Sequence, residues 1–405
     1  MFVVFEDKLG NKVQIDEASP ADSLATLLSR LNAVQPNEFQ LKESELKPSG
    51  LRLHQAEGVE ATAATTLIDR LAKIELHVEC LSPLNAPVDP CAVLFAGQGT
   101  DVATTIKKLS APSNSDSPWA AKSKAFFDSA SAVLGYDLLD VCENQPNLLA
   151  TTAYSQPAIF IASIATMKKY NLEQGSDAKT ITHAAGFSLG EYAALVYSDA
   201  ISLEDGLRLI KTRAQAMQQA AEESKGSMVT VIGLDDKKLQ DLCAEAEATV
   251  PAEDKKRIVI ANHLFPKGRV LSGDKGLVGW VVKNAAARGA QMANELNVAG
   301  AFHSPCMASA SPALEKALQD IRVQEPSIPV FSNVTGKKYE TAAEIKQLLV
   351  KQLESPVHWE QTIKGMIKDD NVGAFIDAGP GAQLKSMMRR IDPKVFRKTI
   401  VLDGK

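Results

Sequence analysis

The chain has 405 residues, enough for two or three domains, and its 45% hydrophobic and 23% charged residues are ordinary for a globular protein. The net charge of −5 and the aromatic content of only 5% argue against binding to nucleic acid or to a membrane surface, because both need a basic footprint. No apolar run approaches the ~20 residues that a bilayer-spanning helix needs, so no membrane insertion is predicted.

Cysteine usage and the N-terminus bear on the cellular compartment. The first twenty residues contain four acidic residues and no arginine, which is typical neither of a secretory signal nor of a transit peptide. Taken literally, this N-terminus predicts a cytoplasmic protein. The five cysteines lie far apart without a C-x-x-C pair, which favours reduced intracellular thiols over a disulfide framework or a zinc site. They are Cys80, Cys91, Cys142, Cys243 and Cys306.

Residues 1–81 have a pattern of their own. Short apolar runs predict strands over residues 2–5, 13–15, 51–53 and 74–78, and Ser19-Pro20 is typical of a helix start. This order and length resemble the ubiquitin-like β-grasp fold, whose binding partner stays unknown at this stage. Asp22-Ser23-Leu24 matches the attachment triplet of carrier proteins, but too little chain precedes it for a carrier's first helix. Residues 82–90 are proline-rich and are interpreted as a linker.

The sequence pattern changes at residue 91. Apolar strands such as residues 93–95 alternate with helix-length segments at 157–169, 204–221 and 312–321. This alternation predicts an α/β fold with a largely parallel sheet. Two further apolar runs, with helical patterns after each of them, predict a smaller insert over residues 228–296.

The strongest local signal is Gly186-Phe187-Ser188-Leu189-Gly190, a G-x-S-x-G motif between an apolar segment and a helical one. Glycines on both sides let the serine occupy a strained strand-to-helix turn with its hydroxyl exposed, and the following helix directs N–H groups at developing negative charge. The motif therefore predicts a nucleophilic serine. The alternative is a glycine-rich turn whose serine caps a helix.

A serine nucleophile needs a base, and Ala301-Phe302-His303-Ser304-Pro305 supplies a histidine. Cys306 is an alternative nucleophile, although a small buried hydrophobic residue is the preferred interpretation. The remaining histidines are predicted to be surface or core residues: His54, His77, His183, His263 and His358.

These motifs occur in a recognisable order. FAGQG at 95–99 is followed by GFSLGE at 186–191, Arg213, GAFHS at 300–304, SNVTG at 332–336, Gln352 and GPG at 379–381. Over residues 91–402 they resemble the malonyl-CoA:acyl-carrier-protein transacylases, and GFSLGEYAALV, SQPAIFIAS and ANHLFPKGRVLSG resemble the mitochondrial branch in animals. One difference is Thr100-Asp101 after the GQG, where the family commonly has Ser-Gln and a later G-M-G.

The resemblance implies a role for each matching residue. Ser188 attacks the thioester of malonyl-CoA, and His303 takes the proton and returns it to the leaving thiol. The backbone carbonyl of Gln352 orients this histidine in place of a carboxylate. Backbone N–H groups of Gln98 and Leu189 form the oxyanion hole.

Two further residues are expected to select the acyl group. Arg213 binds the free malonyl carboxylate with its guanidinium, the alternative being a solvent-facing helix arginine paired with an acid. Phe302, beside the base, crowds out an α-methyl branch.

The implied fold is α/β, an acyltransferase fold with a hydrolase-like parallel-sheet core (91–227 and 297–402) and a small ferredoxin-like insert (228–296). The implied function is transfer of malonyl from malonyl-CoA to the phosphopantetheine thiol of acyl carrier protein, by a monomer without a cofactor, for type II fatty acid synthesis in the mitochondrion. The alternatives are a serine thioesterase or hydrolase with the same Ser/His pair, an interaction protein built on the first 80 residues, and a detached polyketide-synthase module.

Overall fold

The computed structural model describes residues 90–111, 114–175, 179–251 and 257–404, together with the backbone of three short strands nearer the N-terminus. The chain divides into two compact units, Met1–Val88 and Asp89–Lys405. The strands are β1 (Val3–Glu6), β2 (Lys12–Ile15), β3 (Arg52–His54), β4 (Cys91–Phe95), β5 (Ile181–Gly186), β6 (Gly226–Ile232), β7 (Ile258–Phe265), β8 (Gly268–Asp274), β9 (Met292–Glu295), β10 (Ala374–Asp377) and β11 (Thr399–Val401).

The helices of the described residues belong to the second unit. They are α1 (Val102–Ser110), α2 (Ala120–Leu134), α3 (Leu138–Asn144), α4 (Pro146–Leu149), α5 (Thr152–Gln174), α6 (Gly190–Tyr197), α7 (Leu203–Ser224), α8 (Asp236–Glu247), α9 (Lys275–Asn284), α10 (Ser311–Gln319), α11 (Ala342–Lys351), α12 (Trp359–Lys368), α13 (Gln383–Ile391) and α14 (Pro393–Lys398). Within the described ranges, no helix combines the length and the apolar character needed to cross a membrane.

In the first unit, β1 lies between β2 and β3 in an antiparallel sheet, with Phe5 opposite Val13 and Leu53. These strands fall in three of the four segments where strands are predicted. The predicted helix after Ser19 and the predicted strand at 74–78 lie outside the described residues. The β-grasp fold therefore stays a prediction.

The core of the second unit is a parallel sheet in the order β11-β10-β4-β5. Every residue of β4 is buried, because helices cover both faces of a central parallel strand. The predicted α/β fold with a parallel sheet is confirmed. Since parallel strands end at the same edge, the loops after β4, β5 and β10 meet there, and a Cβ added to Gly379 would lie 2.1 Å from Cβ of Ala96.

A second sheet is antiparallel, in the order β7-β8-β6-β9. Its elements follow one another as β6-α8-β7-β8-α9-β9, the β-α-β-β-α-β order of a ferredoxin-like unit. Helices α8 and α9 cover one face with an apolar core of their own, to which Val229, Leu239, Leu271 and Val278 contribute. This sheet and its helices occupy the segment from Gly226 to Glu295, while the insert over residues 228–296 stays a prediction as a separate subdomain.

Candidate active site

The serine of the G-x-S-x-G motif lies at the turn between β5 and α6 and has a left-handed backbone conformation, with φ of 53°. Both glycines are required by close backbone contacts. A Cβ on Gly186 would lie 1.8 Å from the carbonyl carbon of Gly190, and a Cβ on Gly190 would lie 2.2 Å from the carbonyl oxygen of Phe95. Side chains cannot fit at either position, so the turn closes tightly and leaves the hydroxyl of Ser188 at its tip.

A histidine contacts this hydroxyl. Oγ of Ser188 lies 2.8 Å from Nε2 of His303, and Nδ1 of His303 lies 2.8 Å from the backbone carbonyl oxygen of Gln352. Since a carbonyl can only accept, Nδ1 carries the proton, and the unprotonated Nε2 accepts the hydrogen of the serine hydroxyl. The structure therefore holds a neutral histidine poised as a base, oriented by a carbonyl.

The electrostatics favour the neutral form of this histidine. Burial lowers the pKa of His303 to about 4, and the nearby positive charge of Arg213 acts in the same direction. The hydrogen bond to the Gln352 carbonyl opposes this shift without reversing it. At neutral pH the ring is thus ready to take a proton.

Arg213, on α7, is buried beside the nucleophile with 1% of its surface exposed. Its Nη2 donates to Oγ of Ser188 and to Oε1 of Gln352, both at 2.9 Å, and its Nη1 donates to Oε1 of Gln156 at 2.6 Å. The guanidinium carbon lies 5.5 Å from the ring centre of Tyr192. Within the described part of the chain, the buried Nε of Arg213 has no hydrogen-bond partner.

The alternative interpretation of Arg213, a solvent-facing arginine paired with an acid, describes a different residue of the same helix. Arg208 is 59% exposed and bonds to Glu204 and Asp205 within its own helix. Arg213 instead has neutral hydrogen-bond partners in a closed environment. A buried cation of this kind attracts an anionic group from outside the protein.

Gln98 and Leu189 border the same cavity, of about 410 Å³, as Ser188 and His303. Across the described ranges, neither of their backbone N–H groups donates to another protein atom. Leu189 immediately precedes α6, so its N–H lies at the positive end of the helix. Two unpaired N–H groups beside a nucleophile are suited to an oxyanion.

Apolar side chains from the antiparallel sheet, from α7 and from the segment before His303 complete the cavity. Phe302 precedes His303 and lines the cavity. Its other apolar lining includes Met228 and Val270 from the antiparallel sheet and Met217 from α7. The predicted insert is therefore one side of the site. An acyl chain held here meets these apolar walls together with the polar groups of Ser188, His303 and Arg213.

Sequence reasoning assigned no role to several residues that hold this site together. Asn333 accepts the Ser188 N–H at 2.6 Å and donates to the Gly186 carbonyl at 2.7 Å, so it clamps the turn from both sides. Gln156 holds Arg213. Glu191 is buried, and burial raises its pKa to about 7 against the opposing effect of its hydrogen-bond donors. The SNVTG and SQPAI stretches were the available signals for Asn333 and Gln156, but they carry no information on contacts.

Among the described residues, the other candidates do not line this cavity. His183 is buried on β5, and His263 and His358 stack with their ring centres 4.9 Å apart. Cys306 is partly buried, and burial raises the pKa of its thiol, which disfavours the reactive thiolate. The side chains of His54 and His77 lie outside the described residues.

The chain matches the family model described as the acyl transferase domain over residues 93–393. A probable mitochondrial malonyl-CoA-acyl carrier protein transacylase of Drosophila melanogaster is 33% identical over 85% of this chain and 93% of its own length. The mitochondrial malonyl-CoA-acyl carrier protein transacylase of Homo sapiens is 34% identical over 77% of this chain and 80% of its own length.

A solved structure agrees with these relatives. The malonyl-CoA:acyl carrier protein transacylase of Xanthomonas oryzae superposes with a TM-score of 0.69 at 30% identity, covering 78% of this chain and 95% of that one. Sequence and fold thus each match over more than three quarters of the chain. The chain belongs to the acyl transferase family, among the malonyl-CoA-acyl carrier protein transacylases.

Proposed function

We propose that this chain transfers the malonyl group from malonyl-CoA to the phosphopantetheine thiol of an acyl carrier protein through a malonyl ester of Ser188. The observation that carries the proposal is the hydrogen bond of 2.9 Å between Nη2 of the buried Arg213 and Oγ of Ser188. It brings a cation for the acyl carboxylate and a nucleophile for the acyl carbonyl within one malonyl length. The names of the relatives support the same substrate pair.

The first half-reaction forms the ester. Oγ of Ser188 attacks the thioester carbonyl while Nε2 of His303 takes its proton, and the oxygen that becomes negative is stabilised by the N–H groups of Gln98 and Leu189. When the tetrahedral intermediate collapses, the carbon–sulfur bond breaks and His303 returns the proton to the CoA thiol.

The second half-reaction runs the same steps with a new thiol. The carrier thiol gives its proton to His303 and attacks the ester, and Ser188 recovers the proton as it leaves. Both thioesters are of similar energy, so the reaction is freely reversible and needs no cofactor or energy source. Its direction follows the concentrations of the two thioesters and the two thiols.

Acyl selection rests on two residues. Arg213 holds the malonyl carboxylate through a charge-assisted contact that an acetyl group lacks, and the aromatic ring of Phe302 limits the space beside the α-carbon. We place the reaction in the mitochondrion and in type II fatty acid synthesis, supported by the mitochondrial relatives in flies and humans.

A test of the function separates transfer from hydrolysis. Incubation of the enzyme with malonyl-CoA and a holo acyl carrier protein should give malonyl-carrier in amounts equal to the CoA released, with little free malonate. The products are counted by intact-protein mass spectrometry and chromatography, with an apo carrier that lacks the thiol as the control. Malonate equal to CoA, with or without a carrier, would instead identify a thioesterase.

The pH dependence of ester formation reports on His303. A base must be unprotonated to act, so activity falls as the pH drops through its pKa, which burial lowers to about 4. We expect kcat/KM for malonyl-CoA to change little from about pH 7 to about pH 5 and to fall about tenfold per pH unit below about pH 4. Stopped-flow measurement of CoA release tests this, with circular dichroism to confirm that the protein stays folded.

The outcome that contradicts this expectation is a half-loss of activity near pH 6.5, the ordinary value for histidine. Burial raises the pKa of Glu191 to about 7, but we expect no change in kcat/KM near pH 7 from its protonation. A protonated carboxyl keeps one acceptor oxygen for its hydrogen-bond donors.

A further inference from the structure

Glu191, the second residue of α6, is a carboxyl group buried behind the nucleophile with 1% of its surface exposed. Three groups donate to it: the backbone N–H of Asn333 at 3.2 Å, the side-chain amide of Gln352 and the hydroxyl of Tyr339. Burying a carboxylate is costly even with such partners, and an apolar side chain at this position would pack without that penalty. The acid therefore calls for an explanation beyond packing.

Gln352 connects Glu191 to the reacting groups. It is fully buried at the end of α11, and its backbone carbonyl orients His303 at 2.8 Å. Its Oε1 accepts from Nη2 of Arg213 at 2.9 Å, while its Nε2 donates to the Ser188 carbonyl at 3.0 Å and to Glu191. The side chain of Gln352 thus contacts Arg213, and the backbone carbonyl of the same residue orients His303.

The amide of Gln352 has two orientations of nearly equal shape, related by exchange of its oxygen and nitrogen. In the reversed orientation its NH₂ group would face Arg213, which has only donors, and its oxygen would face Glu191 and a carbonyl, which accept. Glu191 thus excludes the reversed orientation together with Arg213 and the Ser188 carbonyl, by offering an acceptor oxygen to the amide NH₂ group.

We propose that Glu191 is a positioning residue for the transfer reaction, which sets the orientation of the Gln352 amide so that its oxygen holds Arg213. The proposal rests on the proposed function, in which Arg213 and His303 act on the malonyl group. Glu191 itself touches neither substrate nor Ser188 Oγ. Of its three donors, Gln352 is the one that contacts Arg213, so the effect of Glu191 on acyl selection is transmitted through Gln352.

The test compares two replacements of Glu191. Glu191→Leu removes the acceptor, and we expect kcat/KM for malonyl-CoA to fall about 30-fold or more, with the preference for malonyl-CoA over acetyl-CoA falling about tenfold. Glu191→Gln keeps an oxygen toward Gln352 and Asn333 and places its NH₂ group toward the Tyr339 oxygen. It should stay within about threefold of the wild type in both quantities.

The acyl preference is the readout that distinguishes positioning from a general structural role. A loss of folded protein lowers the activities with malonyl-CoA and acetyl-CoA by the same factor and leaves their ratio unchanged. Activity of Glu191→Gln as low as that of Glu191→Leu would overturn the proposal, because it would show that the charge rather than the acceptor matters. An unchanged acyl preference in Glu191→Leu would overturn it as well.

A double variant keeps the test informative if Glu191→Leu does not fold. Removing both buried partners is better tolerated than removing one, so Glu191→Leu with Gln352→Leu is compared with Gln352→Leu alone. Equal activity supports action through Gln352, and a further loss of about tenfold contradicts it. Wild-type enzyme that forms no malonyl ester would refute the proposed function instead, which separates the two failures.

Discussion

Replacement of Ser188 by alanine is expected to abolish the malonyl ester and to slow the release of CoA by about 10⁴-fold or more. Alanine keeps the Cβ and hence the same left-handed backbone at this turn, but it lacks the oxygen that contacts His303 and Arg213. The loss is therefore chemical and not a collapse of the turn. Intact mass spectrometry after brief incubation with malonyl-CoA measures the ester, and a thiol reagent measures CoA.

The matched control is Ser309→Ala, which removes an exposed hydroxyl far along the chain from the turn and should leave the ester intact. An adduct that persists in Ser188→Ala would contradict the assignment of the nucleophile. Peptide mapping of such an adduct to Cys306 would restore the alternative considered from the sequence, against the raised pKa of its thiol.

The second large effect concerns Arg213. Arg213→Met keeps most of the volume of the side chain and removes the charge, and we expect kcat/KM for malonyl-CoA to fall about 10²- to 10³-fold. Acetyl-CoA has no carboxylate to lose, so its kcat/KM should change by less than about tenfold. Parallel measurement of both substrates gives the acyl preference directly, independent of the fraction of active enzyme.

Arg208→Met is the control on the same helix. Arg208 is 59% exposed and pairs with Glu204, so its removal should leave the acyl preference unchanged. A fall of equal size for malonyl-CoA and acetyl-CoA in Arg213→Met would contradict a carboxylate contact. It would indicate instead that Arg213 serves Ser188, to whose Oγ it donates.

The turn around Ser188 illustrates what local sequence can predict. The requirement for Gly186 and Gly190 arises from backbone atoms less than 3 Å from where a Cβ would lie. Only glycine fits at these two positions, so the motif can be recognised in the sequence. The parallel sheet was predictable for a related reason, because a strand buried on both faces, such as β4, must be apolar throughout. Arg213 differs, since its helix shows no local peculiarity and only the family resemblance singled it out.

The contacts that Arg213, Gln156 and Gln352 make could not be predicted in the same way. Gln156 and Gln352 approach Arg213 from 57 and 139 positions away along the chain, and Glu191 is 161 positions from Gln352. A glutamine or a buried glutamate has no periodicity or spacing that indicates its partner. The same residue types on an exposed helix would be unremarkable.

The amino-acid sequence by itself thus determined the fold class from residue 91 onward, the tight turn around Ser188 and the family, because each depends on local sterics or on an ordered set of motifs. Only the tertiary structure decided which side chains surround Ser188, that Arg213 is buried against it, and that Glu191 and Asn333 support the turn. The physical reason is that hydrogen bonds between distant residues form where helices α6, α7 and α11 meet at the edge of the sheet. No single segment of the sequence indicates that these helices meet.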